Sequence, residues 1–362
     1  MPPEAARFPD RLQRVRQTLL TGDLEALLFL DMQNIRYLTG FTGSDGVFLL
    51  ERDESLLMVD GRYTTQASLE AVGIRVFQYR EKLEGIAESI AGEAIKAVGF
   101  EAAALSFEVH GKLKEKVPAL RLSPLTDDLV NIRAIKDAGE IALLRAAAVT
   151  ASRALVAMQE IIRPGLREDE VALELEYRMR QSGAAGASFP TIVAAGANSA
   201  LPHATPGKRK LMAGDALVID YGAVIEGYHS DETCTFILGQ ASARFQEVYE
   251  IVRAAHDRAL AAVKAGVACA EIDHIARDCM EKAGLGRFFS HGTGHGIGLD
   301  VHEPPRIAAS SQATLAAGMV VTIEPGIYLP GQWGIRIEDM VLVREHDCEV
   351  LTSVPKNLTA LY

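Results

Sequence analysis

Cysteine is scarce in this chain, and an export signal is missing. The four cysteines, Cys234, Cys269, Cys279 and Cys348, form no CxxC pair. The first residues also lack the long apolar core of a signal peptide. Since disulfides persist mainly outside the cytosol, we expect a cytoplasmic protein whose thiols are reduced and serve as packing residues.

Long apolar runs and an excess of positive charge are lacking as well. No run of 18 or more apolar residues occurs, so we expect no membrane-spanning helix. The formal net charge of -11 makes nucleic acid a poor partner, because an acidic surface repels phosphate backbones. What is present is an ordinary globular composition, 48% hydrophobic and 23% charged. The 362 residues suffice for one large domain or two ordinary ones.

The first 130 residues predict a small α/β domain. Strands are expected at Glu25–Asp31, Gly46–Leu50, Leu56–Asp60, Ile74–Tyr79 and Ala97–Glu101, and helices at Tyr63–Val72, Leu83–Ala91 and Phe107–Val117. The polar turn ERDES between the second and third strands favours a hairpin. The pattern changes near residue 131, so we place the two domains at 1–130 and 131–362.

The rest of the chain contains one order of elements twice. Asp137 and Glu140 resemble a capping box. The apolar face of the long helix that follows is Ile141, Leu144, Ala148, Ala151, Leu155, Met158 and Ile162. A second helix near 168–182 and extended segments at 190–196 and 215–238 come next. Helices at 245–263 and 270–283, then extended segments from 289 to 343, repeat this order. We infer two half-domains that face each other across a central cleft.

Two aspartates lie in otherwise apolar strands. Asp220 and Asp231 are eleven residues apart, and a turn near Gly227 would bring them side by side. Because a buried unpaired carboxylate is costly, each needs compensation. A metal ion would supply it, and salt bridges to buried arginines are the alternative.

Three histidines, His291, His295 and His302, fall within twelve residues and alternate with glycines. The glycines would let the backbone approach a ligand closely. Their spacing fits neither GxGxxG nor a P-loop, and the HEPPR segment at 302–306 is not an HExxH zinc helix, because its prolines prevent the helix. Histidines that face solvent or the core are the alternative.

Two glutamates complete the candidate set. Glu324 follows a run of strong strand preference, and alternation places Glu338 on one strand face with Arg336. Taken singly, each segment is also compatible with a surface strand. Together with the two aspartates and His295, they place five oxygen or nitrogen donors in apolar strands.

This oxygen-rich set suits Mn²⁺ best, with Co²⁺, Fe²⁺ or Zn²⁺ as alternatives. Four carboxylates carry too much negative charge for one divalent ion and match two. Bridging carboxylates would hold two ions about 3.5–4 Å apart, the spacing for two-metal hydrolysis through a bridging hydroxide.

These segments resemble the pita-bread metallopeptidases, and within them the Xaa-Pro aminopeptidase and prolidase branch. The matching segments are Asn34–Phe41, Gly61–Tyr63, Asp220-Tyr-Gly, Ser230–Thr233, His291–His295, His302-Glu303, Glu324-Pro-Gly and Arg336–Glu338. The resemblance covers nearly the whole chain. It implies a creatinase/prolidase-like α/β N-terminal domain followed by an α+β pita-bread catalytic domain with pseudo-twofold half-domains. By analogy it also implies a homodimer.

The resemblance implies a role for each metal ligand. Asp220 would chelate one ion, and His295 with Glu324 the other. Asp231 and Glu338 would bridge both ions. Glu324 would also carry a proton from the attacking water to the leaving nitrogen.

Four further side chains would meet the substrate, by the same resemblance. His203 would contact the substrate or the tetrahedral intermediate, and His302 would donate a hydrogen bond to the developing oxyanion. His291 would line the primed subsite. Arg306 matches a position that, in some prolidase-like members, meets the terminal carboxylate of the substrate.

Thr233 and Arg336 resemble groups that orient the ligand carboxylates. One departure lies beside them. Many relatives carry Arg where this chain has Cys234. A thiol cannot make the ion pair of an arginine, but no metal ligand is affected.

The implied activity is hydrolysis of Xaa-Pro bonds at the N-terminus of peptides, that of an Xaa-Pro aminopeptidase. A proline amide has no N–H, so a site that binds the carbonyl on metal and packs the ring is not handicapped. The alternative is an Xaa-Pro dipeptidase, which Arg306 favours, whereas the N-terminal sequence and compact length favour the aminopeptidase. A non-catalytic peptide-binding homologue is a remote alternative, because all five ligands are present.

Overall fold

A computed structural model describes residues 7–125 and 128–362 of the chain. The chain divides into two compact units, one that ends at Arg133 and one that begins at Ala134. The predicted domain limits, 1–130 and 131–362, lie close to this division and stay a prediction.

The first unit is built around a mixed sheet whose strands are apolar segments of the sequence. Its strands are β1 (Ala26–Phe29), β2 (Val47–Glu51), β3 (Ser55–Val59), β4 (Arg75–Gln78), β5 (Ala97–Glu101) and β6 (Arg121–Leu125), and its helices are α1 (Arg7–Leu19), α2 (Met32–Thr39), α3 (Thr64–Glu70), α4 (Lys82–Gly92), α5 (Phe107–Lys116) and α6 (Asp128–Ala134). The order in the sheet is β4-β3-β2-β1-β5-β6. The predicted strands and helices of this part are confirmed, including the hairpin of β2 and β3.

Three helices, α1, α2 and α6, go beyond the sequence predictions. Local signals for α2 are present. The Asp31 side chain accepts a hydrogen bond from the backbone N–H of Asn34, and Gly40 ends the helix with a φ of 78°. Aspartate before a helix and glycine after it are common end signals, so α2 is detectable from the sequence.

The second unit contains two helix pairs, each followed by strands. The helices are α7 (Ala138–Gln159), α8 (Glu168–Gln181), α9 (Ala243–Ala262) and α10 (Cys269–Lys282). The strands are β7 (Gly186–Ala187), β8 (Ile192–Ala195), β9 (Ala216–Tyr221), β10 (Ala223–Ile225), β11 (Tyr228–His229), β12 (Glu232–Leu238), β13 (Gly294–Gly296), β14 (Glu303–Ile307), β15 (Val320–Ile323), β16 (Gly326–Leu329), β17 (Trp333–Arg336), β18 (Asp339–Val343), β19 (Cys348–Val350) and β20 (Thr359–Leu361). The predicted twofold order of helix, helix and strands is confirmed.

Each helix pair packs on its own sheet. One sheet has the order β20-β12-β9-β8 and the other β14-β13-β15-β18-β19. Leu155, Leu175 and Ile219 belong to the core shared by α7, α8 and the first sheet. Val252 and Ile272 belong to the core shared by α9, α10 and the second sheet. These two cores fix the strand ends that carry the candidate ligands.

Helix α7 has the predicted cap and the predicted buried face. Asp137 accepts a hydrogen bond from the Glu140 backbone while the Glu140 side chain accepts one from Asp137, which completes a capping box. Of the predicted face, Leu144, Ala148, Ala151, Leu155 and Met158 are buried within the helix. By length and composition alone this helix is apolar enough to cross a membrane, a test that core helices also pass.

A tight turn at Glu226-Gly227 joins β10 to β11. Both residues have a positive φ, 47° and 76°. This combination is typical of the type I′ turn of two-residue hairpins, where glycine carries no steric penalty. The turn sends the chain back so that β12 pairs with β9, as the spacing of the two aspartates predicts.

Candidate metal centre and active site

A cleft of about 830 Å³ lies in the second unit, a volume ordinary for a ligand site. Its walls contain almost the whole set of predicted site residues. These are His203, Asp220, Asp231, His291, His295, His302, Arg306, Glu324, Arg336 and Glu338. Thr233, the remaining member of the set, hydrogen-bonds to Glu338. The structure therefore brings together residues that are far apart in the sequence.

Asp220 and Asp231 come from neighbouring strands. Asp220 lies on β9 opposite Thr233, and Asp231 immediately precedes β12. The salt-bridge alternative is realised at Asp220, whose Oδ2 lies 2.6 Å from Nη2 of Arg336. Its Oδ1 is buried and has no hydrogen-bond partner among the described residues. This unpartnered oxygen has lone pairs that could coordinate a cation.

His295 presents one ring nitrogen to the acidic residues. Its Nδ1 lies 3.0 Å from the Gly296 carbonyl oxygen, which can only accept, so Nδ1 carries the proton and Nε2 keeps its lone pair. Nε2 lies 3.6 Å from Oδ2 of Asp231 and 3.7 Å from Oε1 of Glu324. Burial lowers the pKa of His295 to about 4. The imidazole is therefore neutral, the form that binds metals.

The glycines around His295 are required by strand packing. A Cβ at Gly294 would lie 1.9 Å from the Thr322 carbonyl oxygen, and one at Gly296 would lie 2.2 Å from the Pro304 carbonyl oxygen. The space that we expected a ligand to use is thus filled by neighbouring strands at these two positions.

Glu338 forms the tightest group with Asp231 and His295. One ligand atom from each residue lies within 4.8 Å of the other two. Oε2 of Glu338 accepts a hydrogen bond of 2.6 Å from the Thr233 hydroxyl, and the Glu338 backbone N–H donates to the Thr233 carbonyl. The surface-strand alternative is wrong here, because Glu338 is only 2% exposed.

The site contains more buried carboxylates than cationic side chains to neutralise them. Burial raises the pKa of Asp231 well above its usual value, and the Glu338 carboxylate raises it further. Burial also raises the pKa of Glu324 to about 7 and that of Glu338 well above its usual range. Uncompensated, these carboxylates retain protons. Divalent cations would replace those protons, so the donor set and the orphaned Asp220 oxygen fit a metal pair.

Arg336 connects the acidic residues to a hydrogen-bond chain. Its Nε donates to the Thr233 hydroxyl at 3.1 Å and its Nη1 to the Tyr328 hydroxyl at 2.7 Å, in addition to the Asp220 contact. These contacts join Thr233 and Arg336 to the candidate ligands Glu338 and Asp220, and their orienting role stays a prediction.

His291 lies at the other end of this chain. Its Nδ1 donates to the Gly292 carbonyl at 2.7 Å, so its Nε2, 2.9 Å from the Tyr328 hydroxyl, accepts. Burial lowers the pKa of His291 to about 4, which keeps the ring neutral. Sequence reasoning gave Tyr328 no role. A hydroxyl four residues after Glu324, in an otherwise apolar strand, was the available signal.

The remaining predicted residues lie at the open side of the cleft. His203 and His302 are exposed, and the His302 ring lies 4.3 Å from that of His295. Arg306 pairs with His295 across β13 and β14, so both side chains lie on one sheet face. Within the described part of the chain, no carboxylate pairs with Arg306.

Comparison with known proteins identifies the family. The description "Metallopeptidase family M24" matches residues 142–345, and "Creatinase/Prolidase N-terminal domain" matches residues 11–135. The chain belongs to metallopeptidase family M24. It is therefore a metal-dependent peptidase of the hydrolase class, and the predicted order of a creatinase/prolidase-like domain and a pita-bread catalytic domain is confirmed.

Several members of family M24 are similar to this chain over nearly its whole length. An Xaa-Pro dipeptidase of Pyrococcus horikoshii is 33% identical over 349 residues, 96% of this chain and 98% of that protein. The structure of an Xaa-Pro dipeptidase from Bacillus anthracis has a TM-score of 0.94 at 37% identity, covering 98% of this chain and 100% of that one. An X-Pro aminopeptidase from Thermotoga maritima has a TM-score of 0.90 at 35% identity, covering 98% and 99%. These similar proteins are thus named as peptidases of Xaa-Pro substrates, and the dipeptidase names among them favour the dipeptidase alternative over the aminopeptidase.

Proposed function

We propose that this enzyme is an Xaa-Pro dipeptidase, the activity that ranked second from the sequence alone. The observation that carries the proposal is the position of Arg306. Its guanidinium shares a sheet face with His295 and has no acidic partner among the described residues. A dipeptide has its C-terminal carboxylate one residue beyond the scissile bond, so a cation near the metal centre selects for it. The names of several close relatives support the same substrate class.

We further propose that two divalent ions, Mn²⁺ first among them, occupy the cleft. Asp220 would hold one ion, His295 and Glu324 the other, and Asp231 and Glu338 both. When bound, the ions would polarise the scissile carbonyl and lower the pKa of the attacking water. The support is the clustering of buried, protonation-prone carboxylates described above.

Side chains of the cleft would transfer the protons and hold the substrate. Glu324 would take a proton from the attacking water and deliver it to the proline nitrogen as the C–N bond breaks. His302, beside His295, would donate a hydrogen bond to the oxygen of the former carbonyl. His203, which also lines the cleft, would contact the substrate or the same intermediate. His291, kept neutral and oriented by Tyr328, would line the pocket for the proline ring.

The test compares Ala-Pro with Ala-Pro-Ala in the presence of Mn²⁺. A dipeptidase hydrolyses Ala-Pro with the higher kcat/KM, and we expect a difference of at least about tenfold, since a charge-assisted contact contributes roughly 1.5–3 kcal/mol. Arg306→Met should raise KM for Ala-Pro by a similar factor and leave the tripeptide rate nearly unchanged. Arg306→Lys is the matched control and should retain part of the preference.

An Xaa-Pro aminopeptidase is the second candidate, supported by the similarity to the Thermotoga maritima enzyme. It predicts faster cleavage of the tripeptide and no selective loss for Ala-Pro in Arg306→Met. That result would overturn the dipeptidase assignment.

A further inference from the structure

Three of the candidate metal ligands are each followed by a residue that belongs to a second buried network. Along a strand, successive side chains point to opposite faces. Asp220, Asp231 and Glu338 line the cleft. The residues that follow them, Tyr221, Glu232 and Asp339, do not line the cleft. The Tyr221 hydroxyl donates a hydrogen bond to Glu232, and Glu232 and Asp339 share Lys356 as an ion-pair partner. The position of each candidate ligand is therefore coupled to a neighbour on the opposite face.

Lys356, from the segment between β19 and β20, lies at the centre of this network. Its Nζ is 2.6 Å from Oε1 of Glu232, 3.3 Å from Oδ1 of Asp339 and 3.4 Å from Sγ of Cys234. The Lys356 side chain is 9% exposed, and those of Glu232 and Asp339 are 1% and 8% exposed. One buried ammonium thus joins β12, which begins directly after Asp231, to β18, which begins directly after Glu338. The same ammonium is a cation beside Cys234, the position at which many relatives carry an arginine.

The two carboxylates are held by further donors, so their geometry is fully determined. Glu232 accepts hydrogen bonds from the Ser152 hydroxyl, the Tyr221 hydroxyl and the backbone N–H of Val354, and Asp339 accepts one of 2.6 Å from the Thr352 hydroxyl. Asp339 also lies 3.2 Å from Nε2 of His256. Buried hydrogen bonds to both carboxylates fix the relative position of the segments that contribute them.

We propose that Lys356 is a positioning residue, which sets the spacing of the Asp231 and Glu338 carboxylates and so readies the cleft for a pair of divalent ions. The inference rests on the metal centre of the proposed function but not on the choice between dipeptide and longer substrates. Lys356 acts through Glu232 and Asp339, because among the described residues its ammonium contacts these two carboxylates and Cys234 and none of the candidate ligands.

Positioning and simple charge effects predict opposite outcomes. Removing a cation from the neighbourhood of the cleft would, by charge alone, make divalent ions bind more tightly. Loss of positioning makes them bind more weakly, and removal of partners that orient metal ligands typically costs about 10–100-fold in affinity. The sign of the change in metal affinity therefore identifies the mechanism.

The experiment measures Mn²⁺ binding to chelator-treated protein by titration calorimetry, independently of activity. Lys356→Met should bind Mn²⁺ at least about tenfold more weakly than wild type. Lys356→Arg, which keeps the cation, should lie closer to wild type. Lys136→Met is the matched control, because Lys136 also forms a buried ion pair, with Glu303 at 2.9 Å, but its ammonium bonds to no neighbour of Asp231 or Glu338 among the described residues. It should be destabilised while its Mn²⁺ affinity stays within about twofold of wild type, by the same reasoning.

Unchanged or tighter Mn²⁺ binding in Lys356→Met overturns the inference, and so does equal weakening in Lys136→Met. If Lys356→Met does not fold, Lys356→Gln keeps the volume and polarity without the charge, and the same weakening is expected. Wild-type protein that binds no Mn²⁺ overturns both this inference and the metal centre. Wild-type protein that binds Mn²⁺ but cleaves neither Ala-Pro nor Ala-Pro-Ala overturns the proposed function alone, and the variant affinities still decide the role of Lys356.

Discussion

Glu338 shows how a single side chain depends on both neighbours and charge. Its carboxylate accepts a hydrogen bond from Thr233, lies near Asp231 and His295, and is almost fully buried. Burial and the nearby carboxylates disfavour its ionised form. Burying such a group without a partner destabilises the metal-free protein, and a bound cation would offset that cost.

Replacing Glu338 with alanine should abolish turnover while the fold is retained. In the proposed centre Glu338 would contact both ions, so its loss should remove several kcal/mol of transition-state stabilisation, and kcat/KM should fall by at least about a thousandfold. The metal-free variant should unfold at a temperature close to that of the metal-free wild type, because the cost of burying this carboxyl group is gone. Kinetics with Ala-Pro, metal analysis and thermal unfolding check this.

The matched control for that variant is Glu349→Ala. Glu349 forms surface ion pairs with Arg145 and Arg344, and such pairs contribute little to stability. Its loss should leave activity at the wild-type level. Near-wild-type turnover in Glu338→Ala would refute the two-metal account.

His291 should make stability depend on pH. Its pKa is about 4 in the folded protein, below the ordinary value of 6.5, so the unfolded chain takes up a proton first as the pH falls. Stability is therefore lost between about pH 6.5 and pH 4. By this linkage, His291→Gln should reduce the loss between pH 7 and pH 5 by roughly 2 kcal/mol.

The measurement is urea unfolding followed by the fluorescence of Trp333, the single tryptophan, which packs on Phe245 in the second unit. His346→Gln, at an exposed position, is the control and should keep the wild-type pH profile. An identical profile in His291→Gln would show that this imidazole is protonated equally in both states.

At the scale of elements, α7 was predictable because its signals are local. The capping box of Asp137 and Glu140 and the apolar repeat lie within one helix and need no knowledge of the rest of the chain. The first helix α1 and the segment of α6 carry weaker signals. Helix α1 is held by contacts with distant segments, such as the hydrogen bonds from Arg11 to the Tyr37 carbonyl and from Arg16 to the Glu51 carbonyl, which the sequence pattern does not display.

Asp137→Ala should destabilise the second unit by about 1 kcal/mol, because the backbone N–H of Glu140 loses its acceptor at the helix start. Urea unfolding monitored through Trp333 reports this unit. Asp137→Asn preserves an acceptor oxygen and should cost far less. Equal losses in the two variants would mean that the charge of Asp137 matters more than its capping bond.

For the whole molecule, we expect metal binding to raise the free energy of unfolding. Ions that bind the folded state alone stabilise it by about 2.7 kcal/mol when their concentration is a hundred times the dissociation constant. We therefore expect chelation to lower the unfolding temperature by several degrees and added Mn²⁺ to restore it. Differential scanning fluorimetry with and without chelator measures the shift. If the unfolding temperature does not change when Mn²⁺ is added at concentrations that support hydrolysis, the result contradicts a metal centre in the folded core.

The homodimer, the cytoplasmic location and the preference for Mn²⁺ stay predictions. Size-exclusion chromatography with light scattering would decide the oligomeric state. Metal analysis of protein purified without added ions would decide which ion is native, since oxygen-rich sites accept several divalent metals.

The sequence by itself determined the order of most elements, the buried face of α7 and the set of five candidate metal ligands. Each of these depends on the spacing of residue types along a short stretch, and five metal-type donors in apolar strands are a pattern visible without coordinates. Cleft membership of Asp220, His295 and Glu338 follows from such patterns.

Only the tertiary structure decided which atoms meet. Arg336 reaches Asp220, 116 positions away, and Lys356 reaches Glu232, 124 positions away. Tyr328 became a link in the site only when its hydroxyl was found between Arg336 and His291. The physical reason is that a strand pattern fixes which side chains share a face, whereas their partners depend on sheet register and packing between segments that are distant in the chain.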